Sequence, residues 1–568
     1  MTDERPAIRL RRPAPVAAEL DPLLVGARRF VAWLLCVQPW RVVAVFVVAQ
    51  WVLVLGLAAD VRHNGWVYYQ GGDQLWYYTT AWLFGHGSFT EPLVGYLWSI
   101  LLAPIALVAG PNVASAYPAI LLVDGLVLLP VAILALYGTA RLIAGRLFAY
   151  WVLLLWVVVP LIGIRYTNTG YHQRYTELLL PQGLGLTAMA DFPTMVASLV
   201  AAYFCARIVF ARDRSALTAV AAGLAAGASI GIKPSNGLFL LGPPLAVVFS
   251  RRLATVGLVL LGLAPSLLVL ALWKYRGYGY LPLFHTAAGG VRLASGPGVV
   301  ALHFPHYRHF DWQRFTKQLD LLREHFWSAR VIEWCVIAGA IGAARRSWAT
   351  FVFVGGWFFS FALVKASASN TSIEDTNLLR ILLPAAPAFV LLLAFIPLVV
   401  PGLPQRVGRG AERAWAIPRR AAVAALAAGT LVTVVVPGAV IAAVTPLHGE
   451  APAAVAVQQP PVPSHVDLGL RVHGGTLAWR SQAPAGGAVF YHVFRAPLDQ
   501  PLYSCPPPPG AAVQCWLQAT DLGTTRTTSF TDRTSGGKHW RYVVGVAANW
   551  LNDTTQGDIY ELSAPASS

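Results

Sequence analysis

Four short stretches of this chain carry residue types suited to acid–base or anion chemistry, and each lies beside an apolar run. The first is Gly71-Gly72-Asp73-Gln74-Leu75-Trp76-Tyr77-Tyr78, where Asp73 follows two glycines. A carboxylate there can take a proton from a reacting hydroxyl or cap the helix that follows. Asp191-Phe192-Pro193 has the same two uses, with the proline standing in a first helical turn where its missing N–H is tolerated. Gly231-Ile232-Lys233-Pro234 offers an ammonium group that can face an anion or snorkel to a membrane interface. Asn377-Leu378-Leu379-Arg380 offers a planar guanidinium, which can grip a phosphate bidentately as a lysine cannot. Arg165, His172, Arg174 and Glu177 share one polar loop and are weaker candidates of the same kind. His303, His306 and His309 recur every third residue, but Pro305 interrupts a regular helix and no carboxylate pattern accompanies them. Sugar or interface contact is the preferred reading of that trio, and no metal-ligand set is assigned. Dependence on a divalent cation stays open.

The elements that must position these residues are apolar. Of 568 residues, 56% are hydrophobic and 12% charged, against roughly 25% charged in soluble domains. The net charge of +16 collects in short loops between apolar segments: Arg41, Arg141 and Arg146, Arg207 to Arg214, Arg251 and Arg252, Arg345 and Arg346, and Arg406 to Arg420. A positive-inside bias accounts for that placement and argues against a nucleic-acid partner. The pattern predicts an α-helical polytopic membrane protein of about eleven transmembrane helices: Val42–Ala59, Tyr117–Tyr137, Phe148–Ile164, Phe192–Phe210, Ala216–Ile232, Leu238–Phe249, Ala254–Trp273, Val331–Ala344, Phe351–Val364, Ile381–Val400 and Ala421–Val444. Residues 1–41 form a basic leader with no cleavable signal pattern, placed in the cytoplasm of an inner or plasma membrane. Leu93–Val108 is expected to dip in without crossing, because a crossing there would put every later basic loop on the wrong side. Leu238–Phe249 is short and holds Pro243 and Pro244, so a broken, protein-enclosed helix is expected. Asp124 lies within the second span and must face the bundle interior. Three loops on the outer side, 60–116, 165–190 and 274–330, are long and rich in Tyr, Trp, His and Arg, so the working face is the outer one.

The membrane domain therefore covers 42–445. A Pro/Ala linker follows over 446–465, and hydropathy falls over 466–568. Short strand-like runs appear there at Leu477–Arg480, Val489–Arg495, Thr528–Thr531, Arg541–Ala548 and Ile559–Leu562, separated by turn residues as in a C-terminal β-sandwich domain. Cys36, Cys205 and Cys335 sit in or beside apolar segments and read as packing residues. Cys505 and Cys515 fall together in the soluble part, and a disulfide between them is expected if that part is outside the cytoplasm.

The stretch from Gly71 to Gly85 resembles the first external loop of the polyprenyl-phosphate-dependent membrane glycosyltransferases of the GT-C superfamily. Their usual form is Asp-Glu-x-x-Tyr-x-x-x-Ala with a glycine one turn on. Asp73, Tyr77, Ala81 and Gly85 fit it, and Gln74 replaces the Glu. Ala190-Asp191-Phe192-Pro193 resembles the same superfamily's Asp-x-Pro at the outer start of a span, Lys233 its Thr-Lys element, and Asn377 to Pro384 its Arg-x-x-x-Pro segment. The resemblance covers most of 42–400. It implies an inverting transfer of a sugar from a polyprenyl-phosphate donor to a glycan, lipid or protein acceptor outside the cytoplasm. Asp73 would deprotonate the acceptor hydroxyl, and Asp191 would be a second active-site carboxylate. Lys233 and Arg380, with Arg165 and Arg174, would face the donor phosphate, while Gln74, Tyr77 and His172 would contact acceptor or sugar. The C-terminal residues resemble a fibronectin type III domain, on Leu477-Ala478-Trp479, Tyr491 to Arg495, Ser529 to Asp532 and Trp540 to Val544.

No Walker-type loop, Gly-x-Gly-x-x-Gly fingerprint or nucleophile elbow is present, and no cytoplasmic loop is long enough to house a nucleotide-sugar site. Two rival classes remain. An envelope-lipid transporter or flippase suits intramembrane charges and a broken helix, but the inverted repeats expected of one are not seen. A non-catalytic membrane scaffold is the other, since Gln74 departs from the usual pattern.

Overall fold

The computed structural model describes residues 21–60, 72–89, 92, 94–110, 113–168, 171–172, 175–249, 253–279, 281, 310–368, 371–373, 377–400, 418–446, 465–480, 490–499, 502–504, 516–517, 519–525, 527–536, 538–547 and 559–568. The first helices run in order as α1 (Asp21–Cys36), α2 (Pro39–Asp60), α3 (Gly72–Phe84), α4 (Leu97–Ala109), α5 (Val113–Val123), α6 (Leu129–Ala144) and α7 (Arg146–Tyr166). Pro39 opens α2 in the first turn, where its missing N–H would have no partner in any case. Gly145, at φ 89°, separates α6 from α7 and permits the reversal between them.

Eight helical stretches among the described residues are long and apolar enough to cross a membrane: Pro39–Leu57, Ala116–Ala144, Arg146–Tyr166, Asp191–Val209, Leu253–Tyr278, Trp348–Ala366, Leu378–Val399 and Arg419–Ala443. The remaining expected spans take other forms. Ala216–Ile232 is a helix of 17 residues, roughly 26 Å long at 1.5 Å per residue. Val331–Ala344 lies inside a longer helix, Ala329–Arg346, whose ends carry Arg330, Arg345 and Arg346 and whose first turns carry Glu333. The Leu238–Phe249 segment is divided, as its prolines suggest. A 3-10 helix covers Pro234–Leu241, and a seven-residue α-helix begins at Pro243. α4 has 13 residues, roughly 20 Å, well short of the about 30 Å of a bilayer core.

Between α5 and α6 the ladder widens into a π-helical turn, Asp124–Leu128. Asp124 is fully buried, and neither carboxylate oxygen has a hydrogen-bond partner among the described residues. The wide turn also frees the carbonyl of Gly125, which accepts from Trp51 Nε1 of α2 at 2.8 Å. The Ala216–Ile232 and Leu253–Tyr278 helices approach backbone to backbone, since a Cβ added to Gly223 or Gly262 would lie within about 2 Å of a carbonyl oxygen opposite. Small residues are what permit such approach between apolar helices.

Two segments between long helices are stitched to the bundle. The strand β1 (Ser88–Phe89) pairs in parallel with β2 (Thr445–Pro446), joining the turn after α3 to the end of the last long helix. Arg276 donates to the carbonyls of Ala442 and Val444, and Lys274 to those of Pro92 and Val94.

The C-terminal part is made of small sheets. A three-stranded antiparallel sheet holds β4 (Arg471–His473), β5 (Thr476–Ala478) and β10 (Ser529–Thr531). A larger sheet runs β3 (His465–Val466), β12 (Ile559–Ser563), β11 (Trp540–Ala547), β6 (Phe490–Pro497) and β9 (Thr520–Thr525), with β13 (Ala566–Ser567) also on β11. β7 (Tyr503–Ser504) and β8 (Trp516–Leu517) form a separate ribbon. Leu468, Leu477, Trp479, Tyr491, Val493, Tyr542 and Val544 make one buried cluster drawn from both larger sheets. Beside it Arg495 reaches Asp532 at 2.7 Å, and Tyr542 Oη donates to the same carboxylate at 3.0 Å. Burial pushes the Asp532 carboxyl up, but hydrogen bonds from Thr534, Arg495 and Tyr542 outweigh it and hold it below the usual carboxylate range. Burial, with that carboxylate beside it, pushes the Tyr542 phenol up to about 12. Cys505 and Cys515 lie outside the described residues.

Candidate functional site

The helix Asp191–Val209 begins with its carboxylate almost wholly buried, at 1% exposure. Ala190 occupies the N-cap position, so Asp191 is not the cap that its sequence equally allowed. Its Oδ1 meets Lys233 Nζ at 2.5 Å. Lys233 reaches it because the Ala216–Ile232 helix ends there. Lys233 takes an extended backbone (φ −140°, ψ 103°) and still donates its N–H to Ser229 O, while Pro234 opens the 3-10 helix beyond. Proline after Lys233 favours that extended conformation and ends the helix. Beneath the pair, Ser229 Oγ lies 2.8 Å from Ser198 Oγ and accepts from Asn236 Nδ2 at 3.1 Å. These bonds fix the three segments against one another.

A second lysine belongs to this site and was not singled out from the sequence. Lys365, in the last turn of the Trp348–Ala366 helix, is 1% exposed and interacts electrostatically with both Lys233 and Asp191. Its signal was available: like Lys233, it is a lysine closing an apolar run on the side that carries the other candidates. Two ammonium groups and one carboxylate thus sit together at one end of the bundle. Asp191 Oδ2 is buried with no hydrogen-bond partner among the described residues, whereas buried polar atoms are usually hydrogen-bonded.

The segment that carries Asp73 comes to the same place. Tyr77 of α3, 2% exposed, donates to the carbonyl of Ile232 at 2.8 Å, one residue before Lys233. Tyr78 donates to Gly110 O at 2.7 Å, tying α3 to the end of α4. Gly95 faces the carbonyls of Gly231 and Ile232 so closely that a Cβ would lie 2.1–2.3 Å from them, and Gly231 faces the Tyr96 ring. Asp73 is in the first turn of α3, one turn before Tyr77; its side chain is outside the described set. Gln74 is buried at 1% exposure, with Oε1 lacking a partner among the described residues.

The other candidates are placed differently. Arg380 is half-buried on the short helix Asn377–Leu382, which packs against the helix carrying Lys365. Arg165 is exposed in the last turn of α7, and His172 is exposed on a helical turn shortly after it. Tyr171, beside it, donates from Oη to Ile373 O at 3.0 Å, and Gln318 fixes that partner segment by bonding Thr371 O and Ile373 N. Arg174, the side chain of Glu177, and His303, His306 and His309 lie outside the described residues. Among the described residues no group of three His, Cys, Asp or Glu is disposed to hold a metal ion.

The fold and this site define a helical membrane-type protein with buried charges gathered at one end of its bundle and small sheets at its C-terminus. Comparisons with models of known families, with characterised proteins and with solved structures find no match to this chain.

Proposed function

We propose that this chain is a membrane glycosyltransferase that moves a sugar from a polyprenyl-phosphate donor to an extracytoplasmic acceptor by inverting displacement, as its resemblance to the GT-C superfamily implies. The observation that carries the reading is the buried cluster of Asp191, Lys233 and Lys365, one hydrogen bond from the helix that bears Asp73. An anionic leaving group needs preorganised cations close to where charge develops, and a sugar hydroxyl needs a positioned base. Lys233 and Lys365 serve the first need, Arg380 adds a guanidinium from the neighbouring helix, and Asp73 serves the second. Asp191 holds the Lys233 ammonium in place. In this reading the N-terminus is cytoplasmic, the working face is outside an inner or plasma membrane, and the C-terminal sheets are a fibronectin type III-like β-sandwich over that face, stapled by Cys505 and Cys515.

The discontinuous Pro234–Phe249 segment supports one rival, an envelope-lipid transporter, because such proteins bind cargo at broken helices. Purified protein in vesicles containing a polyprenyl-phosphate sugar separates the two. Release of polyprenyl monophosphate with labelled sugar on an acceptor supports the transferase. Movement of intact donor between leaflets without release supports the transporter.

A further inference from the structure

At the opposite end of the bundle from Asp191 lies a cavity of about 580 Å³ between α1, α2 and α7. Its position follows from the chain's path: α7 runs from Arg146 to Tyr166, and Asp191–Val209 then returns from the far side. The cavity walls are apolar and aromatic, with Phe30, Trp33, Val45, Phe46, Trp151 and Leu154 prominent. Among the described residues, Arg41 is the one charged residue in its lining, and no carboxylate lines it.

We infer that this cavity is a binding site for one anionic phospholipid, with an acyl chain between the three helices and the phosphate at Arg41. Its volume falls in the roughly 300–1,000 Å³ range of small-molecule sites. The end of α1 is tied to α7 by Arg146, whose Nη1 donates to Leu35 O at 2.9 Å. That carbonyl is among the last of α1, without a helical partner of its own.

Charge selects the occupant. Any lipid chain could fill the apolar wedge, but the mouth is cationic. Arg41 is exposed, with its guanidinium 5.5 Å from the Trp40 ring centroid, and Arg29 is exposed on α1 next to the wall residue Phe30. Trp40, 62% exposed beside Arg41, is of the aromatic type enriched at headgroup level. A zwitterionic headgroup would bring its own cation towards Arg41, whereas an anionic one would bring none.

The test places the full-length protein in vesicles of phosphatidylcholine doped with a photoactivatable-acyl phosphatidylglycerol or, separately, phosphatidylcholine with the same acyl probe. Cross-linked peptides are then mapped by mass spectrometry. The expected result is adducts on α1, α2 and α7 wall residues, severalfold more from phosphatidylglycerol. Arg41→Gln should lower that preference about fivefold, the ratio equivalent to about 1 kcal/mol per arginine near the surface. Val45→Trp should block labelling by filling the wedge, and Val48→Trp, exposed on the same helix outside the wall, should not. Equal labelling by both probes would show an unselective lipid-facing surface and overturn the site. So would labelling indifferent to Val45→Trp, or cross-links joining two copies of the chain through this face.

Discussion

Replacing Asp191 by asparagine should destabilise the protein through the lysine it leaves behind. The carboxylate is 2.5 Å from Lys233 Nζ, with side-chain exposures of 1% for Asp191 and 16% for Lys233. Removing one member of a buried pair costs about 3–5 kcal/mol, because the other is left charged in a poorly solvated place. The residual exposure of Lys233 argues for the lower end, about 3 kcal/mol. Lys365 pulls the other way, since without Asp191 the two buried ammonium groups repel each other. Lys233→Gln alone leaves Asp191 stranded at similar cost. The double variant Asp191→Asn/Lys233→Gln removes both charges and keeps two groups able to hydrogen-bond. Its loss should therefore fall well short of the sum of the single losses, with a coupling near the upper end of the range for contacting residues, about 2–3 kcal/mol. Unfolding of the purified protein in mixed micelles by increasing sodium dodecyl sulfate, followed for wild type and the three variants, reads this coupling. Losses that add within about 0.5 kcal/mol would refute the argument that the pair is what holds Lys233 in place. Under the proposed function, the double variant should also fold well and fail to release polyprenyl phosphate.

Asp73→Asn keeps size and most capping ability; it should leave donor binding intact and slow transfer by roughly 100- to 10,000-fold, and near-normal transfer would remove Asp73 as the base. Tyr77→Phe leaves the Ile232 carbonyl without its 2.8 Å partner, which should cost about 1–3 kcal/mol and raise hydrogen exchange across α3; unchanged exchange would mean that the bond does not anchor the helix. In the C-terminal sheets, Asp532 is held below the usual carboxylate range once folded, so the stability it contributes is present above its unfolded value of about 4 and is lost as pH falls through the folded one. Amide protection in β10 and β11 should accordingly decline on acidification below about pH 4, and Asp532→Asn should flatten that dependence. Titration of the unreduced, detergent-unfolded protein should find three reactive thiols, with two more appearing after reduction if Cys505 and Cys515 pair.

Much of this molecule was legible without coordinates, because burial in lipid imposes a local rule. A helix that must satisfy its own backbone in hydrocarbon shows itself as a run of about 20 apolar residues, and α2, α7 and Asp191–Val209 were each readable in that way. The prolines that divide Pro234–Phe249 and the glycine pair before Asp73 were equally local signals. Other features depended on who packs against whom. Asp191 could equally have capped its own helix, and only the place where the Ala216–Ile232 helix ends, 42 residues on, gave it Lys233. Lys365 closes an apolar run as Lys233 does, but only the helix packing carries it to the same carboxylate. Tyr77 matched a spacing, but its bond to Ile232, 155 residues away, is a fact of tertiary structure. Hydropathy and turn chemistry act over one or two turns of chain, so sequence alone determined the helices and their breaks. Which buried charges meet depends on contacts between segments far apart in the chain, whose cost or gain exists only once the bundle has excluded water around them.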